Sequence, residues 1–257
     1  MDMKKNAVKR IGVLTSGGDS PGMNAAVVSV ARCAAAQGIQ LMGIKRGYNG
    51  LLGLSDNPHD DITALDIETV LDIADLGGTF LRTARCKQFK EADVRRAAVQ
   101  NLRELGIDAL VVIGGDGSFQ GAMRLCELGI PCIGIPGTID NDIVCTDYTI
   151  GFDTAANTAV ECIDRLRDTM QSHERCSVVE VMGRRAGFLA MYVGLAAGAT
   201  AVLVPEHPVS YEQLVEKIRK ARLNGFSHYM IVVAEGAASG DEVANAIREA
   251  TDLDPRV

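Results

Sequence analysis

Residues 109–153 read ALVVIGGDGSFQGAMRLCELGIPCIGIPGTIDNDIVCTDYTIGFD. Two short apolar runs stand in this stretch, Leu110–Ile113 and Cys132–Ile135. Each stops at small residues and carboxylates. The first ends in Gly114-Gly115-Asp116-Gly117-Ser118, the second in Pro136-Gly137-Thr138-Ile139-Asp140-Asn141-Asp142. Between them, Phe119–Leu128 spaces its apolar residues as a helix does. Short apolar runs bounded by turn residues, with a helical pattern between, predict a strand–helix–strand unit. Ligands of such units lie beyond the carboxyl ends of the strands. Both clusters are therefore expected on one rim of one sheet.

The residue types on that rim point to phosphate chemistry. Gly114, Gly115 and Gly117 let backbone approach a phosphate, and the following helix aims free N–H groups at it. Asp116 by itself would repel a phosphate. It fits if a hard cation stands between them, and Mg²⁺ is commonly held by one or two carboxylates plus phosphate oxygens. Asp140 and Asp142 then need another task. A carboxylate near a bound phosphate can accept the proton of an attacking hydroxyl. Either cluster taken singly reads equally well as a tight turn or a solvated loop. Two at consecutive strand ends favour a site.

Outward from this stretch the same alternation continues. Ile11–Thr15 is a short strand that runs into Ser16-Gly17-Gly18-Asp19-Ser20-Pro21-Gly22 and an alanine-rich helix from Met23 to about Gln37. Leu41–Lys45 is the next strand, and 53–66 reads as a polar surface excursion around Asp60-Asp61. Asp66–Leu76 has helical spacing, and Glu91–Leu105 is an amphipathic helix stopped by Gly106. After the central stretch come a helix at Thr154–Met170 and a strand at Ser177–Val181, which ends in Met182-Gly183-Arg184-Arg185. Then follow a helix at Phe188–Ala197, a strand at Ala201–Val204 and a helix to about Leu223 opened by a Ser210-x-x-Gln213 capping box. Tyr229–Ala234 is a buried strand ending at Glu235, and Glu242–Ala250 is a closing helix. This pattern predicts an α/β fold of two Rossmann-like, three-layer α/β/α lobes with largely parallel sheets. A division near residue 151 gives a nucleotide lobe, 1–151, and a second lobe, 152–257. The active site is expected in the cleft between them.

Composition excludes several classes. The 257 residues are 47% hydrophobic and 23% charged, ordinary for a globular protein. A net charge of −7 speaks against wholesale binding of nucleic acid or anionic membrane. No apolar run is long enough to span a bilayer, and the opening MDMKKNAVKR does not read as a signal peptide. The seven cysteines are odd in number, lack a C-x-x-C pair and mostly sit in apolar surroundings. Buried thiols in a reducing cytoplasm are expected. The four histidines show no metal-ligand spacing.

The longer motifs carry a resemblance. LTSGGDSPGMNA at 14–25, GGTFLRTAR at 77–85, GGDGS at 114–118, PGTIDND at 136–142, TDYTIGFDTA at 146–155 and VVEVMGRRAG at 178–187 are similar to the ATP-dependent 6-phosphofructokinases of bacterial type. The resemblance runs nearly from end to end. It implies glycolytic transfer of the γ-phosphoryl group of MgATP to the 1-hydroxyl of fructose 6-phosphate, giving fructose 1,6-bisphosphate. It implies Asp140 as general base, with Thr138 and Arg184 as its catalytic companions. It assigns Gly18, Arg85, Cys86, Gly115, Asp116, Gly117 and Ser118 to ATP, and Asp116 to Mg²⁺. Thr138, Ile139, Asp140, Asp142, Met182, Gly183, Arg184 and Glu235 are implied to bind the sugar phosphate. Arg175 and Arg256 are implied to reach the 6-phosphate from a neighbouring subunit of a cytoplasmic homotetramer. Pyrophosphate-using enzymes of this fold carry a bulkier acid where Gly117 stands and a lysine where Gly137 stands, so the resemblance implies ATP as donor.

Two departures from that pattern are visible. Family members continue past the position of Val257 with a further sugar-phosphate segment, so part of the 6-phosphate pocket is expected outside these residues. In the family's effector pocket, Arg32 and Arg167 match, but Val28, Thr200, Asn224, Phe226 and Ser227 stand where other charged groups are usual. Weakened binding of a diphosphate effector is expected. A rival reading is a non-catalytic nucleotide-binding subunit or sensor of the same fold. Lipid and NAD kinases share a Gly-Gly-Asp-Gly turn but lack the Thr-Ile-Asp-Asn-Asp run.

Overall fold

In strand β1 (Arg10–Ser16), Val13 and Leu14 are neighbours, both fully buried, and they belong to different cores. That follows from the period of two along a strand when both faces of a sheet are covered. The computed structural model describes residues 8–53 and 60–257. Its contacts divide the chain into two compact units, Met1–Thr138 and Ile139–Val257.

In the first unit, β1 leads to α1 (Met23–Ala36), β2 (Gln40–Ile44), a single helical turn α2 (Tyr48–Leu51), β3 (Ile62–Leu65) and another short turn α3 (Ile67–Val70). Then come α4 (Ala92–Glu104), β4 (Ala109–Gly114), α5 (Asp116–Glu127) and β5 (Cys132–Thr138). The strand order is β3-β2-β1-β4-β5. All neighbours are parallel except β2 and β3. One core packs α4 and α5 residues such as Leu102 and Leu125 on Leu14, Leu110 and Val112. The other packs α1 residues such as Val27 and Ala31 on Val13, Leu41 and Ile113. The chain leaves β1 towards β2 on one side, while β4 lies on the other. The point where the order reverses is the β1/β4 boundary, the place where such sheets receive ligands.

The second unit opens with a loop, a two-residue strand β6 (Ile150–Gly151) and the long helix α6 (Phe152–Ser172). There follow β7 (Cys176–Val181), α7 (Phe188–Ala196), β8 (Ala201–Leu203), α8 (Tyr211–Leu223), β9 (Tyr229–Ala234) and α9 (Gly240–Ala250). The parallel sheet has the order β7-β9-β8. Helices α6 and α7 cover one face over Met230, Val232 and Ala234. Helices α8 and α9 cover the other over Ile231 and Val233. Helix α8 starts at the expected box: Gln213 N–H donates to Ser210 Oγ, and Ser210 N–H donates to Gln213 Oε1. The first division of the chain falls ahead of residue 151 because Ile139 packs into the α6/α7 core. The Asn141 carboxamide also ties the loop together, accepting from Thr149 N–H at 2.9 Å.

Three readings of the sequence change. The excursion over 53–66 lies partly outside the described residues, but Ile62–Leu65 is a strand antiparallel to β2. Four residues after an aspartate pair show no alternation. Pairing decides this strand, and it needs Gly43, where a Cβ would fall 2.6 Å from Leu65 Cδ1. Helix α5 begins at Asp116 rather than Phe119, so the Gly-Asp-Gly-Ser cluster is the first helical turn and Gly115 its N-cap. The thiols are not mostly buried: Cys33, Cys126, Cys145 and Cys162 are exposed and only Cys176 is fully buried. Three of the exposed ones stand on the outer stripes of α1, α5 and α6, where apolar neighbours in sequence are not neighbours in space.

Candidate active site

The first unit's rim is built where β1 and β4 end. Parallel pairing places Ser16 beside Gly114, and Gly114 beside Pro136. A Cβ on Gly114 would fall 2.4 Å from Ser16 O, so only glycine allows these strand ends to close up. The same register brings Gly115 against Thr138: a Cβ there would stand 3.6 Å from the Thr138 Cβ. Gly18 and Gly117 face open space, with nothing within 4 Å of an added Cβ. Asp116 is exposed at the first position of α5, and Gln120 Nε2 donates to its Oδ2 at 2.6 Å.

Side chains stitch the turns of this rim together. Ser118 is buried, and its hydroxyl donates to Ser16 O at 3.0 Å. Its own carbonyl accepts from the Tyr48 hydroxyl. Tyr48 is stacked on Phe89 at 4.1 Å between ring centroids. Burial, and then the nearby Cys132 and Cys126, push the Tyr48 phenol far up, so it stays a neutral donor. The segment 82–85 is tied to the β1 end twice. Thr15 Oγ1 donates to Arg82 O at 2.8 Å, and Thr83 Oγ1 donates to Gly17 O at 2.6 Å. Arg85 is exposed beyond those ties, while Cys86 is half-buried against the α4/α5 core, which pushes its thiol up.

The second unit's rim is built where β7 and β9 end. Val181 pairs with Ala234, so Met182 and Glu235 emerge side by side. Glu235 Oε1 accepts from both Gly183 N–H at 3.1 Å and Arg184 N–H at 2.7 Å. This shapes a turn in which Gly183 has φ 140° and Arg184 has φ 54°. From that turn, Arg184 Nε reaches Asp140 Oδ2 at 3.6 Å. Asp140 is only 7% exposed, on a loop where Asn141 takes a left-handed conformation with φ 51°. Asp142 is exposed on the same loop, and Met182 is 62% exposed.

The chain therefore gathers Gly18, Arg85, Gly115, Asp116, Gly117 and Thr138 around one rim, and Asp140, Met182, Gly183, Arg184 and Glu235 around another. Arg175 and Arg256 are not brought to either. Arg175 directly precedes β7, and Arg256 pairs with Ser177 in an isolated bridge. Both lie at the amino end of β7, whose six residues put them roughly 20 Å along the strand from Met182. Arg256 is instead paired with Asp254 at 3.0 Å. Sequence reading missed Tyr48, Thr15, Thr83 and Asn141. Only Asn141 carries a local signal, since asparagine tolerates the left-handed region.

Among the described residues, no group of three or more histidine, cysteine or acidic side chains could hold a metal ion. Asp116 offers one exposed carboxylate. That suits a hard cation arriving with phosphate oxygens and water, and does not suit an all-protein cage.

One βα sheet carries a glycine rim at its switch point and the other an acid–arginine rim. Comparison with known proteins gives the family. A family model described as phosphofructokinase matches residues 10–257. The chain is 52% identical over 249 residues to ATP-dependent 6-phosphofructokinase 1 of Clostridium perfringens, covering 97% of this chain and 76% of that one. It superposes on phosphofructokinase from Saccharomyces cerevisiae with a TM-score of 0.86 at 37% identity, over 97% of this chain and 37% of that one. For Pichia pastoris phosphofructokinase in the T-state the TM-score is 0.90 at 36% identity, over 100% of this chain and 31% of that one. The chain belongs to the phosphofructokinase family.

Proposed function

We propose that the chain transfers the γ-phosphoryl group of ATP to the 1-hydroxyl of fructose 6-phosphate. The family match over residues 10–257 carries this reading. The relatives' names favour catalysis over a non-catalytic nucleotide-binding subunit. The Asp140–Arg184 pair supports the assignment of roles. Asp140 accepts the hydroxyl proton. Arg184, on its Glu235-held turn, neutralises charge on the moving group. Thr138 and Asp142 orient the sugar, and Met182 and Gly183 line its pocket beside Ile139. On the donor side, the open backbone at Gly18, Gly115 and Gly117 receives the phosphates. Ser118 holds the Gly114 turn to Ser16 O, Cys86 takes a nucleotide-side position, and Arg85 supplies a cation. Asp116 would hold Mg²⁺, which when bound with ATP spreads the phosphate charge.

The place of Arg175 and Arg256 at the far end of β7 supports an assembly in which a second copy brings them to the 6-phosphate, a homotetramer in the fullest form of this reading. No described helix is long and apolar enough to cross a membrane. Four exposed unpaired thiols suit a reducing, cytoplasmic setting. The test is a coupled assay on the 257-residue chain with fructose 6-phosphate, offering ATP or pyrophosphate. Fructose 1,6-bisphosphate formed faster with ATP is expected. Faster turnover with pyrophosphate would remove ATP as the donor.

A further inference from the structure

Three arginines of the chain hold a left-handed backbone: Arg46 at φ 59°, Arg82 at φ 58° and Arg184 at φ 54°. For a residue with a Cβ this region is sparsely populated and costs energy, so it persists only where the surroundings over-determine it. Such outliers cluster where side chains are aimed at something. Two of the three have their target inside the chain. Arg46 Nη2 is ion-paired with Asp61, which is 1% exposed. Arg184 Nε faces Asp140, which is 7% exposed. Arg82 is exposed and makes no ion pair or side-chain hydrogen bond among the described residues.

Its backbone is nevertheless held on every side. Leu81 before it is fully buried, and Leu81 O accepts from Arg46 N–H at 2.8 Å. Arg82 N–H donates to Thr79 O at 2.9 Å, and Arg82 O accepts from Thr15 Oγ1. Thr83 after it is hooked to Gly17 O. Thr15 and Gly17 flank the end of β1, and Gly18 follows with open space above its backbone. The left-handed arginine is thus clamped onto the glycine turn at the switch point of the sheet, with no counter-anion among the described residues. A planar guanidinium takes phosphate oxygens in pairs.

We propose that Arg82 binds the phosphate chain of the nucleotide donor and sets the chain's affinity for ATP. This rests on the functional reading above and adds a residue to it. Thr15 and Thr83 are its positioning residues.

The test uses the whole 257-residue chain and the substitutions Arg82→Gly and Arg82→Lys. Glycine accepts the left-handed backbone without strain, so Arg82→Gly should melt at or above the wild-type temperature. It should bind MgATP about tenfold more weakly by calorimetric titration, the loss expected for a charge-assisted contact. The Michaelis constant for ATP should rise in step, while that for fructose 6-phosphate and kcat stay within about twofold. Adenosine binding should not change, and Arg82→Lys should recover part of the loss. A wild-type-like ATP affinity in Arg82→Gly overturns the proposal. So does a change confined to fructose 6-phosphate, or a change in oligomeric mass with ATP affinity intact. A wild-type chain that binds ATP without forming product overturns the reaction while leaving Arg82 tested by binding. A wild-type chain that does not bind ATP overturns both.

Discussion

On the second unit's rim the acid and the guanidinium already face each other, Asp140 against Arg184 at 3.6 Å. On the first unit's rim Arg82 and Arg85 make no ion pair among the described residues. Both rims sit at the carboxyl ends of parallel strands, and each has a left-handed arginine, Arg184 directly after Gly183 and Arg82 tied through Thr83 to Gly17. Under the proposed function the difference matches the charge of what each rim receives. A partly buried carboxylate is costly unless paired, and a hydroxyl brings no charge to pair it. A triphosphate brings several negative charges, so a rim that awaits one can leave its cations exposed. Under the proposed function the donor side is a socket for charge, and the acceptor side is a closed pair into which a proton is passed.

The largest way to break this contrast is Asp140→Asn. Turnover should fall ~10²–10⁴-fold, the usual worth of a general base, with ATP affinity held near wild type. Near-normal turnover would remove Asp140 from the role. Asp61→Ala tests the first unit's other left-handed arginine by taking away an ion-pair partner of Arg46. Leaving a partly buried arginine unpaired should cost about 2–3 kcal/mol, discounted from a fully buried pair because Arg46 is partly exposed. Denaturant unfolding measures it, and an unchanged midpoint would show that the left-handed turn at Arg46 needs no ion pair.

Glu235→Gln tests whether the turn beneath Arg184 requires a charged acceptor. A loss of roughly tenfold in kcat/KM for fructose 6-phosphate, with the ATP constant unmoved, is expected from weakening two hydrogen bonds to one charged oxygen. An equal loss for both substrates would mean the rims are not separable. Ser210→Ala removes the α8 cap far from either rim. It should cost about 1 kcal/mol of stability and no activity at room temperature, which bounds what pure destabilisation does to turnover.

The smallest effect concerns acid. Asp108 accepts from Arg10 N–H and Lys9 N–H at the far end of β1, and these two bonds hold its carboxyl below the usual range. The folded value lies below the unfolded one, near ~3.9. Its contribution is therefore present above that pH and is lost as pH falls through the folded value. Asp108→Asn should flatten the acid limb of the stability curve below about pH 4, without touching ATP binding. An unchanged acid limb would assign those bonds no part in acid sensitivity.

Much of this was legible from local pattern. The strand Tyr229–Ala234 and the Ser210 cap stand where the sequence places them, because a continuous apolar run and a capping box are decided within a few residues. Glycine clusters after Ile113 and Ser16 could be read as a rim because the ends of parallel strands converge. The strand Ile62–Leu65 could not be read, since its four residues gain their conformation only by pairing with β2. Nor could the burial of the thiols, which depends on which side of a helix meets the sheet.

What the sequence determined by itself is the alternation of strand and helix, the glycine turns and the chemical types at the strand ends. Those are local properties of backbone freedom and periodicity. Only the tertiary structure decided that Glu235 holds the turn of Arg184, that Arg184 meets Asp140, that Thr83 clamps Gly17 and that Arg82 has no carboxylate partner among the described residues. Those contacts join residues dozens of positions apart. They exist because two strands end in register, and no window of sequence contains both of their partners.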